Sequence, residues 1–231
     1  MAGWLSPEEW QALGLSLKVA FWATLVSLPL GLVAAMALAR GRFWGRSILN
    51  GLVHLPLILP PVVTGYLLLA TFGRRAPLGA ALDEIGIVLA FRWTGAALAA
   101  AVMAFPLMVR AMRLAIEAVD PGLEQAAATL GASRPWVFAT VTLPLILPGV
   151  LAGAVLAFAK AMGEFGATIT FVSAIPGETM TLPTAINAAL QVPGNEASVW
   201  RMVLISVVLA MAALALTELV SRRVARRISG T

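Results

Sequence analysis

Five long apolar runs, separated by shorter polar stretches, set the pattern of this chain. The first runs from Val19 to Ala39, with Lys18 at its edge and Arg40, Arg42 and Arg46 behind it. Lys18 can snorkel to an interface, and Trp44 is an interfacial anchor. The second run covers about Ile48 to Phe72 and holds Pro56, Pro60 and Pro61, so a kinked span is predicted. A membrane tolerates the carbonyls that prolines free only where neighbouring helices or a water-filled path satisfy them. The third run covers about Ile85 to Val109, with Arg92 and Trp93 near its start and Arg110 and Arg113 at its close. The fourth begins near Leu145 and stays mostly apolar to Val172, longer than the ~20 residues a crossing needs. Gly163 and Gly166 bracket Glu164 and Phe165 inside it, so the helix is predicted to end or unwind there. Residues 173–198 are polar, punctuated by Pro176, Gly177, Pro183, Pro193 and Gly194, with a short amphipathic helix predicted between Leu182 and Gln191. Trp200 to Leu219 is the last run, with Arg201 at its entry and Glu218 at its exit.

One stretch, Asp120 to Pro144, reads as neither a span nor a simple turn. Asp120 is a helix cap and Pro121 suits the first helical position. Glu124 falls in the first turn, where the helix dipole favours an anion. Leu123, Ala126, Ala127 and Leu130 recur at helical spacing and form one apolar face. Gly131 is the natural stop. A second short helix is expected from Ser133 and Pro135 through Trp136, Val137 and Phe138, before Leu143 and Pro144 turn the chain away. Short helices with a small-residue face, set between spans, suit docking on another protein.

Composition sharpens this picture. The chain has 231 residues, 60% of them hydrophobic and 12% charged, and a mean hydropathy of +0.92. A soluble domain carries about 25% charged residues, so this is an all-α integral membrane protein. The net charge of +5 would suggest nucleic acid in a soluble protein. Here the basic residues cluster at the ends of apolar runs, where topology accounts for them and no nucleic acid is implied. Residues 1–11 lack Lys and Arg, so the first run is expected to be an uncleaved span and not a signal peptide.

Five spans place the termini on opposite faces. Arg40, Arg42, Arg46, Arg110, Arg113, Arg134, Arg222, Arg223, Arg226 and Arg227 fall on one side, and Arg74 and Arg75 on the other. The positive-inside rule then predicts the N-terminus outside, the C-terminus inside, and Asp120–Pro144 in the cytoplasm.

Several chemistries lack their residues. No G-x-x-x-x-G-K-S/T loop is present, so ATP is not hydrolysed by this chain. There is no cysteine, no H-E-x-x-H, and a single histidine, His54, for which a packing role is expected. His54 with a serine on another span leaves an intramembrane hydrolase open. An ion-coupled secondary transporter is also open, with Glu164 as its carboxylate. The segment Gly163–Thr170 is the candidate pathway, with Lys160, Gly163, Glu164, Gly166, Thr168 and Thr170 as its residues. Lys160 and Glu164 stand four apart and can pair. A plain helix end at the membrane surface is the competing account. Thr168, Thr170, Thr179 and Thr181 would offer hydroxyl donors to a passing solute.

Glu124-Gln125-Ala126, then Gly131, then Val141-Thr142-Leu143-Pro144 resembles the "EAA" loop of ABC-importer permeases. It departs at Gln125, where the signature has Ala, and at Val141, where Ile is usual. His54 to Tyr66 looks like the second-span segment of molybdate-type permeases. Gly163 to Thr168 and Ile175 to Thr179 resemble segments shared by molybdate and sulfate permeases. The resemblance implies the membrane subunit of a molybdate importer working by alternating access, with sulfate or tungstate permeases as near neighbours. It implies one permease domain over 1–231 with a cytoplasmic coupling loop at 117–144. Glu124, Ala126, Ala127, Gly131, Leu143 and Pro144 would couple to the ATPase. The implied partners are a second identical permease, cytoplasmic ABC ATPase subunits that bind ATP and Mg, a periplasmic or lipid-anchored oxyanion-binding protein, and lipids of the inner membrane. The end of the chain at Thr231 predicts no appended regulatory domain.

Overall fold

The computed structural model describes residues 4–229, with side chains through residue 219 except residue 217. Met1, Thr231 and the side chains of Arg222, Arg223, Arg226 and Arg227 lie outside the described set. Eleven α-helices and one π turn are described, and no strand among the described residues. They are α1 (Pro7–Arg40), α2 (Arg46–Ile58), α3 (Pro61–Phe72), α4 (Pro77–Glu84), α5 (Trp93–Glu117) and α6 (Pro121–Thr129). Then come α7 (Arg134–Val137), the π turn Phe138–Thr142, α8 (Leu143–Met162), α9 (Gly166–Val172), α10 (Leu182–Leu190) and α11 (Glu196–Ser229). Among the described residues, four helices are long and apolar enough to cross a membrane alone, and the bent pair α2–α3 makes a fifth if it spans as one.

The core is built on α5, which packs against α1 on one side and α8 on the other. It is lined by Ala96, Ala99, Ala100, Ala104, Met103, Met108 and Met112, all buried. Small residues let the backbones approach, which is how helices associate where lipid removes the hydrophobic drive. A Cβ on Gly31 of α1 would stand 2.9 Å from the Met108 sulfur, and one on Gly149 of α8 would run into the Ala115 methyl. The last helix is peripheral: 6% of its apolar stretch is buried, against 61% for α5.

Four expectations from the apolar pattern need correction. The first helix starts at Pro7, well before Val19, because Ser6 caps it through a capping box with Glu9. Lys18 is exposed along this helix, with its ammonium 3.8 Å over the Trp93 ring, a cation–π contact with the start of α5. The kinked second span is two helices bent by 115°. Pro56 stays inside α2, but at Pro60-Pro61 both Leu59 and Pro60 precede a proline and are driven to extended backbone, with ψ of 143° and 135°. The third span is shifted along the chain to Trp93–Glu117. Gly86 at φ 79° and Phe91 at φ 59° keep its predicted first turns irregular. At the other end Met112 and Ile116 are fully buried and carry the helix past Val109.

The fourth correction concerns Leu143 and Pro144, which do not turn the chain away. Residues 134–162 run as one continuous helix. Pro144 has no N–H and its ring crowds the carbonyl four residues back. The π turn widens the helix just before it, with Leu143 N donating to Phe138 O, as π-bulges do. Two expectations hold as read: α8 stops at Gly163, and α10 fills the polar segment.

Candidate functional site: the loop between spans and the broken spans

The loop helix α6 forms where its caps dictate. The Asp120 carboxylate accepts from Gly122 N at 2.8 Å, and Gly131 takes φ 86° to end it. No residue of α6 is buried, and Leu123 and Leu130 are exposed. Beside them lies an open groove of about 580 Å³ lined by Ala127, Leu130, Gly131, Ala132, Ser133 and Trp136. Ala127 and Gly131 thus share one surface, as the spacing predicts. Ala126 is exposed but off the groove. Leu143 instead packs on the core from the start of α8, beside an exposed Pro144. A Cβ on Gly131 would meet nothing, so its glycine serves the left-handed turn more than a tight fit.

Glu124 differs most from expectation. Its carboxylate is held inside the chain: Thr142 donates to Oε1 at 2.8 Å, and Arg40 Nη2 lies 3.5 Å away. The arginines that mark topology in the sequence also have structural tasks. Arg40 donates to Ile116 O and Val119 O, Arg46 to Leu38 O at 2.6 and 3.0 Å, and Arg113 to Asn50 Oδ1 and Glu117 Oε1. Each joins helices distant in sequence or closes a helix end. Their only signal in the sequence is position after an apolar run.

Deeper in the bundle, α3 and α9 meet backbone to backbone. A Cβ on Gly65 would stand 2.5 Å from Ala167 O, and one on Gly166 would stand 2.7 Å from the Pro61 Cβ. The proline break and the glycine break therefore come together. Glu164 is buried in the second break, ion-paired to Lys160 Nζ at 2.6 Å and accepting from Ala167 N at 3.1 Å. Its charge is neutralised and its free oxygen caps α9. Gly163 has nothing closer than 3.9 Å to its would-be Cβ. Thr168 is buried, and Thr170 bonds back to Gly166 O at 2.8 Å. Thr179 and Thr181 do not point to a path. Thr179 accepts from Ile175 N at 2.9 Å, and its hydroxyl lies 3.2 Å from both Val172 O and Ser173 O. The Thr181 hydroxyl lies 3.3 Å from that of Thr184. Thr64 on α3 is buried with an unpartnered hydroxyl. His54 Nδ1 lies 2.9 Å from Asn50 O on its own helix, a packing role.

The opposite end holds a cluster that the apolar pattern gives no reason to seek. Glu9 is buried; it takes Ser198 Oγ at 2.6 Å and Arg201 Nη2 at 2.8 Å, tying α1 to α11. Leu182 N donates to Ser16 Oγ at 2.6 Å, tying in α10. Among the described residues no three His, Asp or Glu gather to hold a metal ion.

The described residues thus form a multi-helix bundle with spans long enough to cross a membrane and a short exposed helix pair between two of them. The sequence profile of the binding-protein-dependent transport system inner membrane component family matches residues 27–226, and the chain belongs to that family. It is 58% identical to the molybdenum transport system permease protein ModB of Escherichia coli K12 over 219 residues, 94% of this chain and 96% of that one. It is 52% identical to the Haemophilus influenzae protein of the same name over 95% of this chain and 96% of that one. It is 40% identical to a chloroplastic sulfate permease of Chlamydomonas reinhardtii, over 87% of this chain and 54% of that one. Among solved structures, a bacterial alginate ABC transporter matches with a TM-score of 0.74 at 18% identity, covering 94% of this chain and 80% of that one. The methionine transporter MetNI matches with a TM-score of 0.66 at 16% identity, covering 94% of each chain. The fold is that of ABC-transporter permeases.

Proposed function

We propose that this chain is the membrane subunit of an ATP-driven molybdate importer and works as a homodimer. The observation that carries the substrate is near-full-length identity of 58% to a molybdenum permease. The chain is one permease domain, and 117–144 is its coupling loop. The exposed face of α6 and its groove dock on a cytoplasmic ABC ATPase, which binds ATP and Mg. A periplasmic or lipid-anchored oxyanion-binding protein delivers substrate on the other side. In support, one solved structural neighbour is an alginate ABC transporter in complex with an alginate pentasaccharide-bound periplasmic protein. The chain carries no catalysis of its own. Its N-terminus lies outside, so a reporter active only outside works near Leu78 or Pro193 and fails near Gly131.

Lys160, Gly163, Glu164, Gly166, Thr168 and Thr170 belong to the segment that rearranges during passage. Lys160 and Glu164 neutralise one another, so this segment presents no free carboxylate to a dianion. Sulfate is the second reading, favoured by the 40% identity to a sulfate permease. Uptake of labelled molybdate by the reconstituted complex tests the choice. ATP-dependent molybdate uptake that excess sulfate leaves standing is expected. Sulfate uptake without molybdate uptake would reassign the substrate.

A further inference from the structure

Arg40 is the last residue of α1, and the apolar pattern assigns it nothing beyond a side of the membrane. Its Nη2 reaches Ile116 O at 3.3 Å and Val119 O at 3.2 Å, the carbonyls where α5 ends. The same nitrogen stands 3.5 Å from Glu124 Oε1 on α6. That oxygen also accepts from Thr142, at the end of the π turn that continues into α8. One guanidinium and one carboxylate thus connect α6 to the ends of all three core helices. The chain itself links α6 to α5 and, through α7, to α8. No covalent link joins α6 directly to α1.

We propose that Arg40 is a positioning residue that transmits displacement of α6 into α1 while holding α5 in register. The proposal rests on α6 being the ATPase contact. No buried apolar contact of α6 is available to carry this motion to α1, because α6 buries none of its own residues. Arginine suits the task because it stays charged, and one terminal nitrogen here reaches both α5 carbonyls and the Glu124 carboxylate. The carbonyl end of α5 adds the negative pole of a helix dipole. Moving α6 alone would separate the Arg40 and Glu124 charges, so the helix ends move together.

The test uses the permease reconstituted with its ATPase and binding protein in vesicles. The quantity read is labelled molybdate taken up per ATP hydrolysed. Arg40→Gln should lower this ratio several-fold while the ATPase still co-purifies. Glu124→Gln should lower it similarly, and the double variant should be no worse than the worse single, as expected of residues acting as a unit. Arg46→Gln is the control. It loses the bonds to Leu38 O at the same end of α1, bonds that do not involve α6; its ratio should stay at wild type. If Arg40→Gln proves unstable, Arg40→Lys keeps the charge without the fork and should fall between. A wild-type ratio in Arg40→Gln, an equal loss in Arg46→Gln, or additive losses in the double variant would each overturn the proposal. Ala127→Trp separates the two levels. If it loses the ATPase while Arg40→Gln keeps its ratio, docking on α6 stands and transmission through Arg40 fails. If it keeps ATPase and uptake, the docking reading itself fails and takes the proposal with it.

Discussion

Two carboxylates at opposite ends of the bundle are built from the same parts and differ in fit. Glu9 takes an arginine at 2.8 Å and a serine hydroxyl at 2.6 Å, with 5% of its side chain exposed. Glu124 takes an arginine at 3.5 Å and a threonine hydroxyl at 2.8 Å, with 28% exposed. The first also closes its own capping box and lies beside an apolar cluster of Leu13, Leu182, Ala185 and Met202. The second sits on a helix that buries none of its residues. Identical chemistry is thus dry and closed at one end and open at the other; with α6 as the proposed docking element, the first is a fixed anchor and the second a movable joint. On that reading the open end is the one that meets the ATPase.

The largest expected effect separates the two ends directly. Glu9→Ala leaves Arg201 and Ser198 without their acceptor, and breaking a buried pair costs about 3–5 kcal/mol. The lower end applies, because Arg201 is a third exposed. A clear drop in the unfolding midpoint of the purified permease in detergent is the expected reading. Ala127→Trp should act in the opposite sense, sparing the midpoint and losing ATPase co-purification. Its side chain has an open groove to occupy in the free protein, while overpacking a docked surface costs about 1–3 kcal/mol. Gly166→Leu against Gly163→Leu probes the middle of the bundle. A side chain at Gly166 strikes Pro61, whereas one at Gly163 meets only carbonyls 3.9 Å away. Transport should fall sharply in the first and little in the second. Equal losses would show that the α3–α9 contact is not what matters there. Glu124→Ala is the smallest in stability, about 0–1 kcal/mol for a partly exposed pair. A midpoint shift as large as that of Glu9→Ala would erase the contrast between anchor and joint.

Much of this organisation is legible in the order of residues alone. Pro60-Pro61 and Gly163–Gly166 announce breaks, Asp120-Pro121 announces a helix start, and Gly131 announces its end. These are local signals, carried by residues whose backbone preferences act alone. What stays hidden is non-local. Glu124 looks like an outward charge because its partners, Arg40 and Thr142, lie on other elements. The start of α1 falls outside the first apolar run because Glu9 meets Arg201 only once α1 and α11 pack. The register of α5 slips because apolar content alone cannot separate an irregular apolar stretch, Ile85–Phe91, from a helix. Leu143-Pro144 misleads for a third reason. A proline after a π turn continues a helix that the same proline would otherwise end.

The most direct measurement exploits the absence of cysteine from this chain. A single Leu130→Cys places a unique thiol on a highly exposed side chain at the end of α6, 89% accessible. Leu190→Cys on α10 serves as the reference, exposed but far along the chain from the loop. Maleimide labelling rates are compared in the solubilised permease with and without its ATPase. If α6 is the docking element, ATPase binding strongly protects residue 130 and changes nothing at residue 190. Undiminished labelling at residue 130 with the ATPase bound would contradict it.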